Sequence, residues 1–172
     1  MGYVHIYYGD GPGKTTAAMG LAVRAAGQNM RVAVAQFLKD AYSGERASLA
    51  RLPGIILLPA PEQIPFTFAM TEKERQKYQM FLHDLWRQIL VLLTENQVDL
   101  LVLDEWGDAL EQGWFSAEER DALWLAAGDT ELVITTHALP DFLRERADYL
   151  TEMRAKRHPF NQGRPARRGI EY

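Results

Sequence analysis

Short apolar runs along the chain alternate with longer stretches in which apolar positions recur every three or four residues. Tyr3–Tyr8 reads as a first strand, followed by the glycine-rich turn Gly9–Gly13 and a helix from about Lys14 to Ala26 that Gly27 would stop. Arg31–Phe37 is a buried-type strand, Ser43–Leu52 a short helix and Gly54–Leu58 a short third strand. Pro59–Phe68 has no clean period and reads as a loop. Thr71-Glu72-Lys73-Glu74 has the spacing of a capping box, in which the Thr hydroxyl and the Glu carboxylate satisfy the first free amides of a helix. Behind it Tyr78, Phe81, Leu82, Leu85, Ile89 and Leu92 keep helical spacing to about Asn96. Asp99–Asp104 is the clearest strand, with Leu100-Leu101-Val102-Leu103 running into Asp104-Glu105. A second capping box, Ser116-Ala117-Glu118-Glu119, opens a helix towards Ala127. Glu131–Thr136 is a strand, Pro140–Ala147 a helix and Tyr149–Met153 a last short strand; the remainder reads as a loop. Alternating strands and helices predict an α/β fold: one domain over residues 1–172, built on a doubly wound, mostly parallel sheet.

The turn between the first strand and the first helix carries chemistry. Gly9-Asp10-Gly11-Pro12-Gly13-Lys14-Thr15-Thr16 sits where a phosphate-binding P-loop requires it. Small residues let backbone amides converge on phosphate oxygens, and the helix N-terminus adds its positive dipole end. Lys14 would neutralise phosphate charge, and Thr15 or Thr16 would offer a hydroxyl to Mg²⁺. The glycine spacing departs from G-x-x-x-x-G-K-[ST], because Tyr8 stands where the first glycine would fall. A nest with altered spacing holds a polyphosphate in an altered register; the alternative is a plain glycine-rich turn. Asp104-Glu105, at the end of an apolar strand, supplies the carboxylates expected to face Mg²⁺. Both features belong at the carboxyl ends of parallel strands, where such sheets bind ligands.

Composition narrows the setting. Apolar residues make up 47% and charged residues 24%, ordinary for a globular chain. No apolar run approaches the roughly 18–20 residues that cross a bilayer, and the N-terminus has no signal-peptide pattern. Cysteine is absent, which excludes a disulfide framework and a thiolate metal site and fits a reducing cytoplasm. The net charge of −4 is unevenly spread. From Met153 to Tyr172 there are six basic residues against Glu171 alone, leaving 13 basic and 22 acidic groups on the body. So acidic a body argues against nucleic acid as a partner, whereas the basic tail could close over a small polyanion or simply be solvated.

In this order and spacing the motifs resemble the P-loop family of ATP:corrinoid adenosyltransferases. The resemblance runs from Gly9–Ala18 through Arg24-Ala25-Ala26-Gly27, Val34–Lys39 and Leu103-Asp104-Glu105. It closes with Thr151-Glu152-Met153-Arg154 and His158-Pro159-Phe160 to Gly169-Ile170-Glu171-Tyr172. It implies that Co(I) of a corrinoid attacks the 5′ carbon of ATP, with release of triphosphate from a nucleotide lying reversed relative to ordinary P-loop enzymes. Lys14, Thr15, Glu105 and Arg24 would then be catalytic, with Thr15, Asp104 and Glu105 on Mg²⁺. Gly9 to Thr16, Arg24 and Lys39 would contact the nucleotide. Phe66 and Phe68 resemble the aromatic element that keeps cobalt four-coordinate, although the second aromatic is typically Trp. A homodimer and a flavoprotein reductase that supplies Co(I) are further implications. The chain departs from the family at Pro12, usually Lys, at Thr136-His137-Ala138, usually Gly-Arg-Gly, and in lacking the N-terminal extension of many members. His137, if protonated, would replace part of the missing charge; otherwise it is a structural or solvated histidine. Two other readings stay open: a paralogue that binds nucleotide or corrinoid without catalysis, and a conventional P-loop ATPase or kinase.

Overall fold

A computed structural model describes residues 2–64 and 69–170, with side chains at all but 160 and 161. The strands are β1 (Val4–Tyr8), β2 (Val32–Gln36), β3 (Ile55–Leu57), β4 (Leu100–Asp104), β5 (Glu131–Thr136) and β6 (Tyr149–Glu152). The helices are α1 (Lys14–Ala26), α2 (Gly44–Leu49), α3 (Glu72–Thr94), α4 (Trp106–Glu111), α5 (Ala117–Ala126) and α6 (Asp141–Arg144). One six-stranded sheet in the order β3-β2-β4-β5-β1-β6 runs parallel throughout.

Strand alternation sorts the core into two layers. Leu101 and Leu103 of β4, with Ile6 of β1, Ala33 of β2 and Leu132 and Ile134 of β5, face α3 to α6. Leu100 and Val102, with Val32, Val34 and Val133, face α1 and α2. The fold is a doubly wound α/β domain. Because β4 and β5 separate β1 from β2, α1 crosses both on its way over. That crossing brings the start of α1 above the end of β4, where Asp104 shares the α1 side with Leu100 and Val102.

Both capping boxes form: Thr71 and Ser116 accept from the amides of Glu74 and Glu119, whose carboxylates return the bond. Helix α1 covers the expected residues, but its stop signal is different. Gly27 keeps right-handed helical geometry, and Asn29 takes the left-handed conformation with φ 62°. Met30 N–H then bonds to Ala25 O and Asn29 N–H to Ala26 O, a Schellman closure. Asn96 closes α3 in the same way, with Gln97 N–H on Leu92 O. The expected helix over Pro140–Ala147 shrinks to α6, and α4 is an element the periodicity did not indicate. Among the described residues no helix is long and apolar enough to cross a membrane.

Candidate functional site

The carboxyl ends of β1, β4 and β5 meet under the first turn of α1. The Gly9–Gly13 loop is pinned from two sides. Gly9 N–H donates to His137 O at 3.0 Å and Gly11 N–H to Met153 O at 2.8 Å. Met153 N–H in turn bonds to Tyr8 O at 2.7 Å, so the chain leaving β6 runs across the loop as a strap. This explains the glycine spacing. A Cβ on Gly9 would lie 2.4 Å from Met153 O, and one on Gly11 would lie 2.7 Å from the Met153 carbonyl carbon and oxygen. Gly9 and Gly13 also hold φ 110° and 105°, which disfavour any side chain. Gly13 is the N-cap of α1 and contributes no capping side chain, so the first-turn amides face the cleft with the helix dipole behind them.

Lys14 curls back over the loop, and its Nζ donates to Gly9 O at 2.6 Å and Gly11 O at 3.1 Å. Burial pulls its pKa below the ordinary value, against the attraction of Asp108, Glu105, Asp10 and Asp104. Thr15 Oγ1 donates to Asp104 Oδ1 at 2.9 Å. Asp104 is wholly buried and saturated with donors, as burying a carboxylate demands. Oδ1 also accepts from Thr135 Oγ1 at 2.8 Å, and Oδ2 accepts from Gln36 Nε2 at 3.1 Å and Lys39 Nζ at 2.9 Å. Lys39 bridges the group, donating to Thr15 Oγ1 at 2.8 Å and lying 3.8 Å from Glu105 and 3.6 Å from Glu45. Burial works against its charge, but Asp104, Glu105 and Glu45 prevail and hold its pKa above the ordinary value.

Glu105 caps α4 with φ 61° and ψ 22°, a left-handed conformation that a side chain adopts only under constraint. The constraint includes a bond from its N–H to Thr135 Oγ1 at 2.7 Å. Burial raises its carboxyl pKa, Lys39 opposes, and Asp104 and Asp108 add to the rise. One turn further, Asp108 accepts from the backbone N–H of His137. Gly107 lets α4 approach β5, since a Cβ there would lie 2.4 Å from Thr136 Oγ1.

A cleft of about 840 Å³ opens beside these groups. Its floor is Gly11 to Thr16, with Lys39, Glu45, Glu105 and His137 along the sides. The far wall comes from the basic tail, including Arg157, His158 and Arg164. The arrangement can take a polyanion: a helix N-terminus and two lysines face it, beside an oxygen cluster that already cradles an ammonium.

The model of the ATP:corrinoid adenosyltransferase BtuR/CobO/CobP family matches residues 1–172. The chain belongs to this family. A corrinoid adenosyltransferase of Pseudomonas aeruginosa is 30% identical, with 99% of this chain and 84% of the relative covered. That of Escherichia coli K12 is 28% identical over 99% and 86% of the two chains. The corrinoid adenosyltransferase CobA of Salmonella typhimurium is 29% identical over the same shares.

Within this adenosyltransferase chain, Lys14, Thr15, Lys39, Asp104 and Glu105 come together as one cluster. Arg24 does not join it. It is exposed in the last turn of α1, ten residues beyond Lys14, about 15 Å of helix rise away. Asp10, Pro12 and Thr16 are on the exposed side of the loop, Pro12 and Thr16 lining the cleft. Phe66 and Phe68 lie outside the described residues. Sequence reasoning missed Asp108, Gln36 and Thr135. Only Gln36 carried a signal, as a polar residue ending the apolar Val32–Ala35 run.

Proposed function

We propose that the chain transfers the 5′-deoxyadenosyl group of ATP to the Co(I) of a corrinoid and releases inorganic triphosphate. The observation that carries this is the Lys14–Thr15–Asp104–Lys39 cluster at the start of α1, in a chain that matches the adenosyltransferase family over residues 1–172. In the step, the cobalt electron pair forms a bond to C5′, the C5′–O5′ bond breaks, and its electrons leave on triphosphate. Cobalt is formally oxidised from Co(I) to Co(III). No protein nucleophile or activated water is required, so the chain's work is positioning and charge stabilisation. Lys14, Lys39 and the first-turn amides of α1 would hold the triphosphate, with the loop from Gly9 to Thr16 beneath it. Arg24 has no part in this set, for the reason of distance given above.

Mg²⁺ belongs to the same reading. Thr15, Asp104 and Glu105 would hold it, and their fit is supported by the Lys39 ammonium, which already lies against oxygens of all three. Hydroxyl and carboxylate oxygens are the hard donors this ion takes. Bound there, it would add positive charge beside the leaving triphosphate. Phe66 and Phe68 as the aromatic element beside the corrinoid, a flavoprotein reductase and a homodimer are proposed on the family resemblance. A cytoplasmic setting suits a chain without cysteine. The test is anaerobic reaction of the protein with MgATP and chemically reduced corrinoid, followed by absorbance for the Co–C product. Formation of that product by the wild type, and its loss in Lys14→Ala, is expected. A wild-type protein that binds both substrates and forms no Co–C bond would overturn the reading.

A further inference from the structure

The loop after β5 presents a side chain that neither the phosphate loop nor the Asp104 cluster uses. His137 is held at three points. Its carbonyl accepts from Gly9 N–H at 3.0 Å, and its N–H donates to Asp108 Oδ1 at 2.9 Å. Its ring nitrogen Nδ1 lies 3.2 Å from Asp108 Oδ2. The Asp108 side chain is only 11% exposed, whereas the imidazole is 65% exposed and lines the same cleft as Lys14 and Thr15. With Nδ1 turned to a carboxylate, the ring keeps its proton there and has Nε2 left for a ligand.

We propose that His137, oriented by Asp108, is a polyphosphate-binding residue, donating through Nε2 to the phosphate chain of the nucleotide and to the triphosphate as it leaves. The identity of the anion rests on the adenosyl-transfer reading; the presence of an anion contact does not. A merely solvated histidine would need none of these anchors. Here the backbone is tied both to the phosphate loop and to α4, and the ring's partner is a shielded carboxylate of that helix. The charges that face the imidazole come from each element around it. Asp108 and Glu105 on the α4 side favour the imidazolium, and Lys14 at the start of α1 opposes it. The tail adds Arg157, His158 and Arg164 across the cleft. The bond to Asp108 dominates and keeps the ring protonated above its ordinary range, against the effect of burial. His137 thus gives the cleft a cation whose charge depends on pH, beside the lysines Lys14 and Lys39. Asp108 is the positioning residue.

Calorimetric titration with inorganic triphosphate, without nucleoside or corrinoid, tests this at about pH 6 and about pH 8.5, on either side of the histidine range. The phosphates' own titration is common to all variants, so each variant is read against the wild type at both pH values. His137→Arg should bind about tenfold more tightly than the wild type at the higher pH and equally at the lower. His137→Ala should bind about tenfold more weakly than the wild type at the lower pH and equally at the higher. Asp108→Asn, which keeps an acceptor for the backbone N–H, should move the wild-type transition to lower pH. Wild type, Ala and Arg variants with one common pH profile would overturn the proposal. If the pattern appears but reduced corrinoid yields no Co–C bond, the anion site stands and the adenosyl-transfer reading fails.

Discussion

Replacing Gly11 with alanine tests the strap that holds the Gly9–Gly13 loop. Gly11 has no positive φ, so its backbone would accept a side chain without strain. The obstacle is the chain leaving β6. An added Cβ would stand 2.7 Å from the carbonyl carbon and oxygen of Met153 and 2.8 Å from the Arg154 carbonyl carbon. Ordinary contact begins at 3.4 Å, and these neighbours are backbone atoms that cannot rotate away. The strap must move by several tenths of an ångström, stretching the 2.8 Å bond from Gly11 N–H to Met153 O. Overpacking of this kind costs about 1–3 kcal/mol. For a chain of this size that is a loss of several degrees in melting temperature, at about 2–4 °C per kcal/mol. Gly20→Ala is the control. Gly20 lies in α1 with nothing within 4 Å of its virtual Cβ, so alanine there should stabilise by about 0.5–1 kcal/mol. Scanning calorimetry and MgATP titration of the two variants give the answer. Gly11→Ala with unchanged melting and unchanged affinity would refute the packing argument.

Lys14→Ala should weaken MgATP binding by about 1.5–3 kcal/mol, the worth of a charged hydrogen bond, and Lys14→Arg should not restore it because a planar fork replaces a point charge in a tight loop. Titration calorimetry reads both. Folding stability should fall as pH rises through the His137 range. The folded-state pKa is raised above the ordinary 6.5, so the contribution is complete below that value and disappears above the raised one. It should be modest, because the ring is 65% exposed. Denaturant titrations across pH should lose this component in His137→Ala. Trypsin should cut the tail between Arg154 and Arg168 more slowly once MgATP and corrinoid fill the cleft that Arg157 and Arg164 help to line; equal rates would remove the tail from the site.

The sequence was most legible where one local signal decides the structure. Leu100–Leu103 could be little other than a buried strand, and the capping boxes at Thr71 and Ser116 start their helices where expected. The gathering of Lys14, Thr15 and Asp104 was visible because a strand-to-helix turn and a strand ending in carboxylates belong at the same edge of a parallel sheet. Readings failed where a distant part of the chain decides. The spacing of Gly9 and Gly11 looked like a device for phosphate register, yet the carbonyl of Met153 already demands glycine at both positions. Helix α4 is six residues long, too short to show a period, and it starts from a left-handed Glu105 that no propensity suggests. Asp108 was therefore invisible, and His137 had no partner in sight. Arg24 stands apart from the cluster for a simpler reason: a motif match fixes position in the chain, and a helix of 13 residues carries it to the far end.

The central claim is attack on the 5′ carbon of ATP, and the phosphate product reads it directly. Wild-type protein is incubated anaerobically with MgATP, with and without Co(I) corrinoid, and the released phosphates are separated by ion chromatography. The account predicts inorganic triphosphate, equimolar with the Co–C product and formed only when the reduced corrinoid is present. ADP with orthophosphate, or triphosphate released without corrinoid, would contradict it.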